Sequence, residues 1–112
     1  LLERLREAKG GDRELDADLN RMAGLDNRFH GDTPYTTSLD AALALCERVL
    51  PGWRFSCGDD YDGGNPSGWA RVFPLRMQSK GSGNQYAPTP ALALCIAIVE
   101  ALIEKGTSDD RR

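Results

Sequence analysis

Apolar and polar residues alternate along the chain with two different periods, and the change of period predicts the order of the elements. Leu15, Leu19 and Met22 recur at i, i+4 and i+7, the spacing of one face of a helix. Asp12 precedes them as an N-cap and Gly24 follows as a stop. The charged side chains between these ends are expected to face mostly water: Arg13, Glu14, Asp16, Asp18 and Arg21.

The segment TTSLDAALALCERVLPG has the clearest helical pattern. Thr37 is a suitable N-cap, and Asp40 follows three residues later, where a carboxylate can reach back to the amide of the cap. The Pro51-Gly52 pair ends the helix. One apolar stripe follows from this assignment: Leu39, Leu43, Cys46 and Leu50.

Two strands are predicted after this helix, because the period changes from helical spacing to strict alternation in WRFSC, residues 53–57, and GWARVFPL, residues 68–75. The intervening GDDYDGGNPSG, rich in Gly, Asp, Asn and Pro, predicts a long hairpin connection. A weaker third strand is placed either at 75–80 or at 84–86.

The last helix is predicted from Thr89, its N-cap, through Pro90 to about Lys105, with Gly106 as the stop. Its segment 91–99 has no polar side chain, so it needs cover on every side. The stripe formed by Ala93, Ala97 and Ala101 would let another helix approach closely, either the Thr37 helix or the same helix of a second subunit. We therefore expect a homo-oligomer, most simply a dimer.

These elements predict an α/β (α+β) fold: one domain, with a small antiparallel sheet sandwiched between helices, assembled as an oligomer. A length of 112 residues agrees with a single core. Residues 1–11 are assigned to an N-terminal extension, 12–105 to the α/β/α sandwich domain and 106–112 to a disordered tail.

Composition and charge narrow the classes of partner. The chain is 40% hydrophobic and 28% charged with a net charge of -3, which gives no positive field for a nucleic-acid polymer. No signal peptide or membrane span is evident. The widely separated Cys46, Cys57 and Cys95 indicate free thiols in a reducing cytosol rather than disulfides or a zinc site.

Catalytic chemistry has little support in the sequence. His30 is the one histidine, and it lies in a polar loop with no nucleophile beside it. The acidic run Asp59, Asp60 and Asp62 lacks the glutamate that closes a calcium loop, and KGSGNQ has neither phosphate-loop nor dinucleotide spacing. We expect no enzyme, no metal and no cofactor.

Binding has more support, because aromatic and basic residues interleave along the predicted strands. A nucleotide-like ligand needs rings for stacking and cations for phosphate. The alternative, commoner in a strand pair, is that the rings fill the core and the arginines face water. The loop before Thr89 is equally open to two interpretations, an anion cradle at a helix N-terminus or an ordinary cap. The candidate ligand-binding residues are Arg54, Trp69, Arg71, Arg76, Lys80, Asn84, Gln85, Tyr86 and Thr89.

The phrases DRELDA, PYTTSLDAALALCERVLPGW and APTPALAL, in this order, resemble the phage ABA-sandwich domain family over residues 12–103. That resemblance implies a phage origin, an oligomer and a non-catalytic role. The architecture is also similar to that of phage Thoeris anti-defence sponges, which bind cyclic ADP-ribose isomers such as gcADPR and, in some members, cyclic oligonucleotides.

The leading hypothesis is a phage- or prophage-encoded anti-defence protein of the host cytoplasm. It would sequester a small cyclic nucleotide signal between subunits without cleaving it, and would use neither a nucleic-acid polymer nor a membrane. The alternative is a phage accessory module that binds protein and no small molecule. A hydrolase of nucleotide signals is a third, weaker possibility.

Overall fold

Four helices and three strands make up the part of the chain that the structure, a computed structural model, describes: residues 2–24, 33–62, 65–74 and 81–110. They are α1 (Leu2–Glu7), α2 (Arg13–Met22), α3 (Leu39–Val49), β1 (Arg54–Asp62), β2 (Asn65–Phe73), β3 (Gln85–Ala87) and α4 (Pro90–Asp110). The strands form one antiparallel sheet in the order β1-β2-β3. The predicted α+β class and single domain are confirmed. None of the helices in these ranges has both the length and the apolar character that crossing a membrane requires.

Helix α4 is the centre of the core. One side of it lies on the sheet, chiefly on β2 and β3, and the other side contacts α1 and α3. Every residue from Ala91 to Val99 is buried within a single chain. The expectation that this helix needs a second subunit for its cover is therefore wrong, because its own chain supplies both sides. Association between copies stays a prediction that has to rest on another surface.

The helices described lie on one face of the sheet. Ala70 and Val72 of β2 are fully buried on that face, where small side chains let α4 come close. Helices on both faces were expected, and the difference has a simple cause. Since α4 occupies the inner layer, α1 and α3 stack on its far side and not on the far face of the sheet.

The β1–β2 hairpin is longer than the sequence indicated. Its register runs from Arg54 opposite Phe73 to Asp62 opposite Asn65, so most of GDDYDGGNPSG is strand and the prediction of a long connection is wrong. Backbone hydrogen bonds between strands depend little on side-chain type. Proline is the exception, because it has no N–H to donate. Pro66 is tolerated because β3 pairs with β2 only at 68–70, which leaves β2 with a single neighbour at the proline.

The helix ends show which capping predictions hold. Asp12 caps α2, where its carboxylate accepts from the amides of Glu14 and Leu15, as expected. Thr89 caps α4, where its Oγ1 accepts from Leu92 N at 3.2 Å. The cap of α3 is Ser38, one residue beyond the predicted Thr37.

The end of α4 and the position of β3 can also be compared with the predictions from the sequence. Helix α4 continues through Gly106 to Asp110, so the stop predicted at Gly106 is wrong. The third strand is Gln85–Ala87, which confirms the second of the two placements within one residue. The other placement, 75–80, lies outside the described residues.

Residues 2–7, assigned to an N-terminal extension, form α1 and pack with the domain. Leu5 is fully buried in the core, and Arg6 pairs with Glu100 of α4 at 2.5 Å. An ion pair this exposed contributes little to the free energy of folding. The burial of Leu5 is therefore the main reason for α1 to remain docked.

The three cysteines are free thiols in different surroundings. Cys46 and Cys95 are buried, whereas Cys57 is half-buried near the edge of the sheet. Burial raises the pKa of Cys46 to about 11, with a smaller contribution from Glu47, and raises the pKa of Cys95 as well. The Cys95 thiol also donates to the carbonyl of Tyr35 at 3.2 Å.

We predict that a small thiol reagent modifies Cys57 first in the folded protein. Cys46 and Cys95 should react only as the chain unfolds, because both thiols are buried and closed to the reagent, whereas Cys57 is only half-buried. Mass spectrometry of partly alkylated protein, with the reaction in urea as the control, measures the order. Modification of Cys95 before Cys57 would contradict the described burial.

Candidate functional site

The face of the sheet that points away from α4 carries the predicted mixture of rings and cations. Residues directly opposite one another in an antiparallel pair project to the same side, and successive residues alternate sides. The register pairs Arg54 with Phe73, Ser56 with Arg71, and Trp69 with both Gly58 and Tyr86. We call this side the open face, defined by its side chains: Arg54, Ser56, Trp69, Arg71, Phe73 and Tyr86.

Trp69 lies across the neighbouring strand. A Cβ placed on Gly58 would be 2.9 Å from Nε1 of Trp69, so the absence of a side chain at this position makes room for the indole. On the other side, Trp69 is directly opposite Tyr86, which is 61% exposed. The two rings therefore form the middle of the open face and are accessible to solvent on the side away from α4.

Two arginines flank these rings. The guanidinium of Arg71 lies over the ring of Phe73, 4.8 Å from the ring centre, which fixes its position by a cation–π contact. Arg54 is opposite Phe73 and therefore diagonal to Arg71 across the strand pair. Such diagonal neighbours lie about 7–8 Å apart, within reach of a shared ligand for side chains this long.

Neither arginine of the open face is neutralised by an acid whose side chain the structure describes. Arg54 and Arg71 are both exposed, and among the residues with described side chains neither forms an ion pair with a carboxylate. Rings and unpaired guanidinium groups on one surface can stack on a planar ligand and hold its phosphates at the same time. This is the chemistry of a nucleotide-like anion.

The turn before β3, at residues 81–84, has a structural role. Ser82 forms two hydrogen bonds with Val72 of β2. Its amide donates to Val72 O at 2.9 Å, and its Oγ accepts from Val72 N at 3.0 Å. Gly81 has φ +73, and a Cβ there would lie 2.2 Å from Val72 O. The turn is closed against the strand, and the side chain of Gln85 reinforces it by donating to Ser82 O at 2.7 Å.

No protein-family model, no curated protein and no solved structure matches this chain. The resemblance to the phage ABA-sandwich family therefore stays a prediction from the sequence, and the case for function depends on the geometry.

The structure separates the predicted site residues into three sets. Arg54, Trp69, Arg71 and Tyr86 come together on the open face. Gln85 and Thr89 serve the turn and the helix cap, and exposed Asn84 belongs to the same turn, so the anion cradle at the helix N-terminus is not supported by these contacts. Arg76 and Lys80 lie outside the described residues.

Sequence reasoning did not include Phe73 and Gly58 among the site residues. Phe73 supports Arg71, and Gly58 provides the space for Trp69. The alternation of β2 already places Phe73 beside Trp69 and Arg71. Gly58 could be found only from the register, because its role depends on which residue of the other strand faces it.

A buried polar cluster joins α2 to the segment before α3. Asp16 is 6% exposed, and its Oδ1 accepts from Thr36 N at 2.9 Å and from Thr36 Oγ1 at 2.8 Å. Asn20 is fully buried and accepts from the hydroxyl of Tyr35 at 2.5 Å. The expectation that Asp16 faces water is therefore wrong, since the carboxylate is the acceptor that anchors the loop. The cluster is closed to solvent and has a structural role.

A shallow cleft of about 330 Å³ lies between α1 and α2. Both of its arginines are paired within it, because Asp18 contacts Arg4 at 2.6 Å and Arg21 at 2.5 Å. Internal pairing leaves little charge for a ligand. Among the described residues no cluster of His, Cys, Asp and Glu could hold a metal ion, and His30 lies outside them.

Proposed function

We propose that the protein binds a small anionic ligand with planar rings, of the cyclic nucleotide class, on the open face of its sheet. The observation that carries the proposal is the register, which gathers Arg54, Trp69, Arg71 and Tyr86 on one solvent-facing surface. The rings would stack on bases and the guanidinium groups would bond to phosphate oxygens.

The role that best fits such binding is sequestration without cleavage. Among the residues whose side chains are described, the open face offers cations and rings but no acid–base pair beside a nucleophile, which favours binding over turnover. The phage origin, the host cytoplasm and the anti-defence role as a Thoeris-type sponge rest on the sequence resemblance alone. The ligands to test first are gcADPR and cyclic di- and trinucleotides.

We predict that Arg54→Ala and Arg71→Ala each raise the Kd of the bound nucleotide about tenfold or more, because each removes a charge-assisted hydrogen bond. Trp69→Leu should weaken binding by a similar factor through loss of stacking. Titration calorimetry measures these constants. Arg48→Ala is the matched control, an exposed arginine on α3 away from the sheet.

The result against the proposal is equally specific. No heat at micromolar protein with any of these nucleotides, or equal losses from Arg48→Ala and Arg71→Ala, would remove the open face as the site. Intact nucleotide recovered after heat denaturation would support sequestration, and a cleaved product would show an enzyme.

The residue types of the same surface favour a second candidate, an accessory domain that binds protein. Trp, Tyr and Arg side chains dominate the binding energy of protein interfaces. A defined protein partner that is lost on Trp69→Leu, together with no heat from any nucleotide, would favour this function.

A further inference from the structure

Within the described part of the chain, the outer side of β1 is a long free edge of the sheet. β1 pairs with β2 on one side only, and among the described residues no backbone group of Arg54–Asp62 bonds elsewhere. Its nine residues compare with three in β3, the strand at the opposite edge. An unpaired strand of this length presents a row of amide donors and carbonyl acceptors that can pair with another chain.

The charges of β1 are arranged so that the strand is complementary to itself. Its first residue is Arg54, and its second half carries Asp59, Asp60 and Asp62. When two copies of such a strand run antiparallel, the basic start of each lies beside the acidic end of the other. Opposite charges across a strand pair are favourable, and like charges directly opposite one another are unfavourable.

We propose that two copies of this chain associate through β1, antiparallel, in the register that pairs Gly58 with Gly58 of the second copy. This register uses all nine residues of the strand. It places Arg54 opposite Asp62 of the second copy, and Phe55 opposite Tyr61 of the second copy. Arg54 lies on the side of the open face, and Phe55 lies on the side of the helices.

Neighbouring registers are less favourable. A shift of one residue brings together residues from opposite faces of the sheet. A shift of two residues in one direction puts Asp59 opposite Asp59 of the second copy, a like-charge pair. The same shift in the other direction keeps an opposite-charge pair, Arg54 with Asp60, but it puts Phe55 opposite Asp59, leaves Asp62 without a partner and uses only part of the nine-residue strand.

The dimer would join the two open faces into one surface. Its sheet has six strands, with the two-fold axis passing beside Gly58, and the helices of both copies remain on the same side. Trp69 lies across Gly58, and paired strands are about 4.8 Å apart, so the two indoles meet near the axis. A ligand on this surface would contact rings and arginines from both copies.

The test is a charge swap, measured without any nucleotide so that its failure is distinct from failure of the proposed function. Wild-type protein should sediment as a species of twice 12.3 kDa over a concentration range from about 1 to about 200 micromolar. Arg54→Asp and Asp62→Arg should each raise the dimer Kd about tenfold, because each creates two like-charge pairs. The double variant R54D/D62R should restore the wild-type value within about threefold.

Matched controls carry the same changes of charge on the exposed face of α3, Arg48→Asp and Glu47→Arg, and should leave the dimer unchanged. Circular dichroism of each variant verifies folding, and an exciton signal from paired indoles should appear with the dimer and vanish in Trp69→Leu. A monomer at every concentration would overturn the proposal. So would a dimer that either single variant leaves intact, or one that the double variant fails to restore.

Discussion

Gly68→Ala is expected to lower the free energy of unfolding by about 3 kcal/mol or more. A Cβ at this position would lie 2.2 Å from Pro90 N and 2.5 Å from Thr89 C, the backbone atoms with which α4 begins. Backbone cannot swing aside as a flexible side chain can. The added methyl would therefore push the start of the central helix off β2, and with it the buried contacts of that helix.

Urea unfolding followed by circular dichroism measures this loss. Gly10→Ala is the matched control, since its added methyl meets nothing within 4 Å and its φ is not positive. We expect that control to change the free energy of unfolding by no more than about 0.5 kcal/mol. If Gly68→Ala were as stable as wild type, α4 could not begin directly against β2.

The second large effect is expected from Asp16→Ala, at about 2–4 kcal/mol of destabilisation. The substitution removes the carboxylate oxygen that accepts from both the amide and the hydroxyl of Thr36. Both donors would then remain buried without this acceptor. The loop that leads into α3 would lose its anchor on α2.

A double-mutant cycle with Thr36→Val tests whether the loss comes from this contact. The two substitutions should be non-additive by at least about 1 kcal/mol, since each removes the same hydrogen bond. Glu47→Ala, an exposed carboxylate on α3, is the control and should have little effect. If Asp16→Ala cost no more than Glu47→Ala, the buried cluster would not anchor the loop.

Local signals in the sequence were enough to predict most helix positions. Asp12 and Thr89 act as caps because short side-chain acceptors satisfy free amides one turn ahead, which depends on a few consecutive residues. The extent of β1 and β2 could not be predicted in this way. Their pairing past Gly58 depends on the facing strand, and turn-forming residues such as Asp59 and Pro66 do not prevent it.

Sequence patterns also could not predict which distant segments bury one another. The apolar run of α4 correctly indicated cover on all sides, but the sequence left open whether α3 or a second subunit provides it, and did not indicate α1. The same applies to Asp16, whose partner Thr36 is distant in sequence. In both cases the contact joins segments that are far apart in the sequence. Local sequence patterns do not show that such segments are close in space.

The open face was partly predictable. Alternation along β2 placed Trp69, Arg71 and Phe73 on one side, and left undecided whether that side was core or surface. The structure decides this, because small Ala70 and Val72 fill the core instead and leave the rings outside. Arg54 and Tyr86 could be assigned to the open face only from the registers of both strand pairs.

The central claim is that the open face is the binding surface, and amide and indole chemical shifts of labelled protein titrated with gcADPR and cyclic oligonucleotides test it most directly. The account predicts shifts at Arg54, Ser56, Trp69, Arg71, Phe73 and Tyr86, the largest at the Trp69 indole. Shifts confined to the cleft between α1 and α2, or none with any of these nucleotides, would contradict it.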